Sequence, residues 1–294
     1  MAIEINTAAE FADIKNWTDR GSSDAPLDII ITQDLDFSEI SDFTGLGSTV
    51  LYAKIDGQGH TIRNIVVTTS SSYLMYLGGA CSVKNIKFEN NNITFTSSGR
   101  IISFNGGGTV RDVIFSNDNI IHCGGYFYTI SATAASNISR VAISGTYYIT
   151  STDGYFYGLS VGGGRSYIKN CYITATIYSK AIYGFNIYDN NEFYNCFMKC
   201  NLINNTTSKM YVYPFYLRYS QMYYCYACNT IQNTVTSGNT IYGVVYYGAN
   251  TSATMPTCYF DNTILTGAID DSRQGQPTEN LKSAEWLRSQ GWAV

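Results

Sequence analysis

One six-residue pattern recurs along the chain: apolar, any residue, a mostly polar residue that is often Asn, then Ile, Val or Cys, any residue, apolar. It begins at Ile62, Val83, Val110, Ile138, Ile168 and Phe193, and in weaker form at Met222 and Met255. The steps between starts are 21, 27, 28, 30, 25, 29 and 33 residues. A constant motif at irregular spacing predicts a fixed strand joined by variable loops, whereas helical repeats keep a tighter period.

Two more strand-like segments accompany each motif. One precedes it, as in Arg100-Ile101-Ile102-Ser103-Phe104, Tyr126 to Ile130, Tyr155 to Leu159, Ala181 to Phe185, Tyr211 to Phe215 and Ile241 to Val244. The other follows it, as in Ile93-Thr94-Phe95, Ile120-Ile121, Tyr147-Tyr148-Ile149, Ile177-Tyr178 and Leu202-Ile203. The runs are β-branched and aromatic, and Gly and Asn clusters separate them. Three strands in a period of about 27 residues predict a three-faced coil. Such coils cannot bury their apolar faces alone and must stack. The fold class read here is all-β: a single-stranded right-handed parallel β-helix of about eight coils, roughly 40 Å long at one strand spacing per coil.

A bare terminal coil is an exposed edge, and short helices at both ends are predicted to cap it. Thr7 with Glu10 forms a capping box ahead of Phe11 to Trp17, and Thr278 to Leu287 repeats that grammar. The chain therefore reads as one domain, 1–294: an N-terminal cap and opening strands over 1–50, coils over 51–265, and a C-terminal cap over 266–294.

Charged residues make up only 14% of the chain, with a net charge of −4, so no basic stripe suggests a nucleic-acid partner. No apolar run is long enough to span a membrane. Met1 to Asn6 has neither a basic nor an apolar leader region, which gives the expectation of folding in a cytoplasm.

Leu27 to Phe37, followed by Lys54-Ile55-Asp56-Gly57-Gln58-Gly59-His60-Thr61-Ile62, resembles the opening of pectin-lyase-like β-helix proteins. The nearest likeness is to repeat proteins of phage tail fibres or spikes and of bacterial surfaces. Leu281 to Trp292 resembles the closing segment of that group. The resemblance implies a virion location, with a bacterial cell surface as the alternative, and a homo-oligomer, commonly a trimer. It specifies fold better than function, because this fold hosts lyases, adhesins and inert spikes.

No catalytic constellation emerges. Asp56-Gly57 reads as a tight turn, with calcium held by Asp34, Asp36 and Asp56 as the weaker alternative. Asp189 and Glu192 are the best carboxylate pair for sugar hydrolysis, but they read as a solvated loop. Cys171, Cys196, Cys225 and Cys258 occupy the motif position held earlier by Ile65, Ile86, Val113 and Val141, so they read as inward-facing small hydrophobes. With two histidines, His60 and His122, no triad or His-rich metal site is readable, and Gly106 to Gly108 and Gly162 to Gly164 read as turns. No metal and no cofactor are assigned.

Tyrosine is the informative excess: 23 of 26 lie between Tyr126 and Tyr259. In the segment before the motif both parities are apolar or aromatic, which predicts a strand covered on both sides, by loops or by another subunit. Tyr126, Tyr128, Tyr155, Tyr157, Tyr183, Tyr211, Tyr213 and Tyr242 are the candidate ligand or interface residues. The expected function is a non-enzymatic structural or adhesion protein that binds host polysaccharide or another virion protein through a Tyr-rich flank. A capsule depolymerase with an intersubunit site and a bacterial adhesin module are the alternatives.

Overall fold

The computed structural model describes residues 2–187, 191–217, 220–235, 237–247, 257–264 and 275–290. Every strand pairing in it is parallel, and the chain winds as a β-solenoid of about eight turns. One column of the core shows the winding: Ile3, Ile29, Ile55, Val83, Val110, Ile138, Ile168, Phe193 and Met222 stand in register, one per coil. Parallel pairing thus begins at Ile3–Ile5.

The six-residue motif is a corner, not the single strand expected from sequence. Its third residue has left-handed backbone in seven coils: Asn64, Asn85, Asp112, Arg140, Asn170, Asn195 and Tyr224, with φ between 52° and 61°. The pairing register steps over this position, passing from Arg111↔Ser139 directly to Val113↔Val141. Asn and Asp tolerate this conformation best among residues with a side chain, which is why they recur there. They also tie coils together. Asn64 Nδ2 donates to Asp36 Oδ1 at 2.8 Å, Asn195 Nδ2 to Asn170 Oδ1 at 2.8 Å, and Arg140 Nη2 to Asp112 Oδ2 at 2.7 Å.

Each coil therefore has four straight segments. Two arms flank the corner, as within Gly108–Phe115. A third segment follows, such as Ile120–Cys123. The fourth belongs to a separate sheet containing Met75–Gly78, Gly99–Asn105, Phe127–Ala132, Phe156–Val161, Ala181–Ile187, Tyr211–Leu217 and Thr240–Ile241 in that order.

Interior turns would strand backbone N–H groups away from water. Stacked polar side chains satisfy them. Gly108 N donates to Ser136 Oγ, Ser136 N to Ser166 Oγ and Ser166 N to Asn191 Oδ1, at 2.8–3.1 Å. At another turn Ile65 N donates to Asn91 Oδ1, and Asn91 N to Asn119 Oδ1.

The cysteine column forms as expected. Cys171, Cys196, Cys225 and Cys258 are buried and free. The first three thiols lie 3.3–3.4 Å from the carbonyl oxygen two residues earlier, a weak donor bond that Ile or Val lacks. Burial pushes the Cys171 and Cys225 thiols well up, so they stay protonated.

The N-terminal helix, Ala8–Asp13, has its Thr7–Glu10 capping box in place. Phe11 packs with Phe37 and Phe43, and Arg20 clamps the cap by donating to the Ile14, Leu46 and Thr49 carbonyls. The C-terminal segment differs from expectation. It forms two helices, Thr278–Lys282 and Ala284–Ser289, and Ser283 caps the second through Trp286 N. Thr278 is no N-cap; its hydroxyl donates to Asp261 Oδ2 at 2.7 Å. Trp286 packs on Tyr259, an outward residue of a second arm, so the helices lie along the outside of the last coils.

Candidate ligand-binding face

The outer surface of the separate sheet collects most of the tyrosine candidates. The five longer strands, from Gly99–Asn105 to Tyr211–Leu217, share a register step: Arg100↔Tyr128 is followed by Ile102↔Ile130, and Tyr157↔Tyr183 by Leu159↔Phe185. Two successive residues at each step are buried, so Gly158 and Leu159 both face inward. Coils approach closely there. A Cβ on Gly158 would lie 2.6 Å from the Gly184 carbonyl oxygen, and one on Gly184 at 2.6 Å from that of Pro214. The step accounts for the doubly apolar strand. Phe156 points in, Tyr157 out, Gly158 and Leu159 in, Ser160 out. The strand alternates, with a shift of parity; on its outer side Tyr157 and Ser160 are part-exposed, whereas Ser103 and Asn186 at the matching positions of other strands are buried.

Tyr128, Tyr157, Tyr183, Tyr213 and Tyr242 stack in one column, with successive ring centroids 4.5, 4.8, 4.7 and 5.5 Å apart and interplanar angles of 4–25°. Arg100 extends it, its guanidinium 4.7 Å from the Tyr128 ring centre and 5.1 Å from that of Tyr73. Tyr126 and Tyr155 form a shorter second row, edge to face at 5.1 Å. Tyr211 is separated from that row, because Ala181 fills the intervening register position.

Sequence reading missed a parallel column. Tyr76, Ser103, Ser131, Ser160, Asn186 and Tyr216 are in register beside the tyrosines. Ser131 Oγ bonds Ser103 Oγ at 2.9 Å, and Asn186 Nδ2 bonds Ser160 Oγ at 3.2 Å. The signal was available: each of these residues from Ser103 onward lies three positions after a member of the first column. Rings stacked face to face cover one another's π-faces, so the column turns ring edges outward beside a row of hydroxyl and amide groups. A repeat of one strand spacing, ~4.8 Å, makes this a comb suited to a polymer with regularly spaced polar groups.

Aromatic stacking is not confined to this flank. His122–Tyr148–Tyr178, Tyr172–Phe197–Tyr226 and Tyr194–Tyr223 stack on other faces, with centroids 4.6–5.2 Å apart. Much of the tyrosine excess therefore links coil to coil, and the column from Arg100 to Tyr242 is distinguished by its length.

The acidic candidates are engaged structurally. Asp36 accepts from Asn64, from Ser38 N and from Arg63, which holds its carboxyl far below the usual range. The bond from Thr61 N lowers Asp34. For Asp56, burial is outweighed by donors from Gln58 N, Asn85 and Lys84. Among the described residues no group of three or more His, Cys, Asp or Glu is arranged to hold a metal, so calcium at Asp34, Asp36 and Asp56 is not supported. Glu192 pairs with Arg165, which lowers its carboxyl, and accepts from the Tyr194 hydroxyl. Asp189 lies outside the described residues.

Because these carboxyls titrate lower when folded than unfolded, they stabilise the fold above the ordinary carboxylate pKa, ~4. That contribution is lost as pH falls through the depressed values. The expected melting temperature is steady from neutral pH to about pH 5 and declines below it. Asp36→Asn should flatten the decline in a pH series of thermal melts.

These features define a class: a parallel β-solenoid with a long aromatic and hydroxyl comb on one outer face. No family model and no curated protein matches the chain. Among solved structures, a "putative immunoglobulin A1 protease" from Bacteroides ovatus aligns over 86% of this chain and 84% of its own, with a TM-score of 0.42 and 14% identity. The fold assignment rests on the strand pairing described above, not on this neighbour. Among the described residues no helix is long and apolar enough to cross a membrane.

Proposed function

We propose that the chain is a non-enzymatic adhesion protein that binds an extended host glycan along the Arg100 to Tyr242 column. The observation that supports this reading is the column of five stacked tyrosines beside a register-matched row in which Ser131, Ser160 and Asn186 accompany Tyr128, Tyr157 and Tyr183. Tyrosine supplies rigid contact area at low entropic cost, and short hydroxyl side chains supply adaptable hydrogen bonds. A glycan lying parallel to the solenoid axis would meet a ring edge at each coil of the column, with the Ser131 and Ser160 hydroxyls beside Tyr128 and Tyr157. Placement in a phage tail fibre or spike is part of the proposal and rests on the resemblance of the opening and closing segments alone.

The test is a glycan screen followed by titration of the best binder against two variants. Tyr157→Ala with Tyr183→Ala removes two rings, each worth about 0.5–1.5 kcal/mol, and should weaken binding about tenfold or more. Ser160→Glu leaves the rings in place and should weaken it through the neighbouring row. Unchanged affinity in both variants, with folding intact by circular dichroism, would overturn the reading.

A further inference from the structure

A second site lies on a different face, where the C-terminal helices meet the last coils and enclose a cleft of about 350 Å³. Phe197 and Tyr226, stacked at 5.0 Å, line one side, and Leu281 and Leu287 also border it. Lys199 and Lys282 bring two cations to the same space. Asp261 is present too, but its carboxylate is occupied: it accepts from the Thr278 hydroxyl at 2.7 Å, Thr263 N at 3.0 Å and Ile264 N at 3.2 Å. Its role is to fasten the helices to the final coil. Among the described residues neither lysine forms an ion pair.

Both ammonium groups act on the Cys228 thiol at the cleft wall. Burial and Asp261 push that thiol up, and Lys199 and Lys282 pull it down. The cleft thus combines a mostly apolar lining with two lysines and one hydrogen-bonded carboxylate, a net positive charge, and its volume suits a small ligand.

We propose that this cleft binds a small apolar acid, with its ring or short chain between the aromatic and leucine side chains and its carboxylate between Lys199 and Lys282. Charge complementarity selects the acid: two lysines beside one hydrogen-bonded carboxylate leave a net positive charge that a neutral ring would not match, and a polar sugar would desolvate hydroxyls against leucine. The site shares no residue with the tyrosine column, so the two proposals stand or fall separately.

Cys228 offers a direct readout, because the other seven cysteines are buried. The rate of its modification by a thiol reagent is measured with phenylacetate and with neutral 2-phenylethanol, alongside calorimetric titration of both compounds. The expected result is that phenylacetate protects Cys228 and binds about tenfold more tightly than the alcohol, the equivalent of one ~1.4 kcal/mol charge contact. Lys199→Gln with Lys282→Gln should abolish the difference while keeping the melting temperature, and Tyr157→Ala should leave it unchanged. Equal binding of acid and alcohol, or calorimetric silence for both, would overturn the proposal. If Cys228 does not react with the reagent, the calorimetric comparison decides alone.

Discussion

Phe185→Ala should destabilise the solenoid by about 3–5 kcal/mol, the usual range for emptying a buried phenylalanine site. Phe185 has no exposed surface. Its ring lies parallel to that of Phe215 at 4.6 Å and edge-on to Phe193 at 6.1 Å, while Phe193 and Phe215 meet edge-on at 6.0 Å. The three rings fill the interior between the separate sheet and the first arms, so their loss leaves a void that β-paired coils on either side cannot close. Urea denaturation followed by circular dichroism measures the effect. Tyr126→Ala, at a residue 41% exposed, is the control and should stay within about 0.5 kcal/mol. Repeat proteins open locally, so hydrogen exchange should show protection falling first in the coils that contain Phe185 and Phe215. A shift no larger than the control would contradict this account of the core.

Asn119→Ala is the second large effect, expected at about 2–3 kcal/mol because it leaves buried groups without partners. The side chain is bonded on both its amide and its oxygen inside the solenoid. Its amide donates to the Phe88 carbonyl at 2.8 Å and the Ser116 carbonyl at 2.9 Å, and its oxygen accepts from Asn91 Nδ2 at 2.9 Å and Asn91 N at 3.1 Å. No equivalent can take over from the next coil. The register position there is Gly145, with φ of 125°, where a Cβ would lie 2.7 Å from the Asn119 carbonyl oxygen. Thermal melts of Asn119→Ala and of Asn195→Ala, whose side chain is exposed, separate the interior ladder from the surface one. Equal small losses would show that water reaches the interior turn.

The solenoid and its coil number were legible because the motif repeats and its apolar positions are strong. The cysteine column was legible through equivalence with Ile and Val. The corner was not, although a clue was present. Apolar residues at motif positions one, four and six cannot share one face of a straight strand, where side chains alternate. A residue of left-handed backbone at position three restores them to one interior. Phe156, Leu159 and Val161 show the same spacing of three and then two, and a register step at Gly158 resolves it there without left-handed backbone. Reading that spacing as apolar on both faces led to the expectation of a covered strand. Within the tyrosine set, sequence could not separate the long column from the short row, because the division depends on Ala181 standing between Tyr155 and Tyr211. The lysine cleft was invisible, since Lys199 and Lys282 lie 83 positions apart and only the folding of the C-terminal helices onto the last coils joins them.

The register step and the left-handed corner also set the grain at which this molecule can change length. Deleting one residue from an arm would turn the side chains between it and the next turn inside out. Duplicating a complete coil would leave every column intact and add one ring and one hydroxyl to the comb. Steps of 21 to 33 residues between motifs show that the connecting turns absorb differences freely. Reach is therefore quantised: a lineage can lengthen or shorten this surface by whole rungs, and a ligand with a matching repeat would register each change as the gain or loss of one contact.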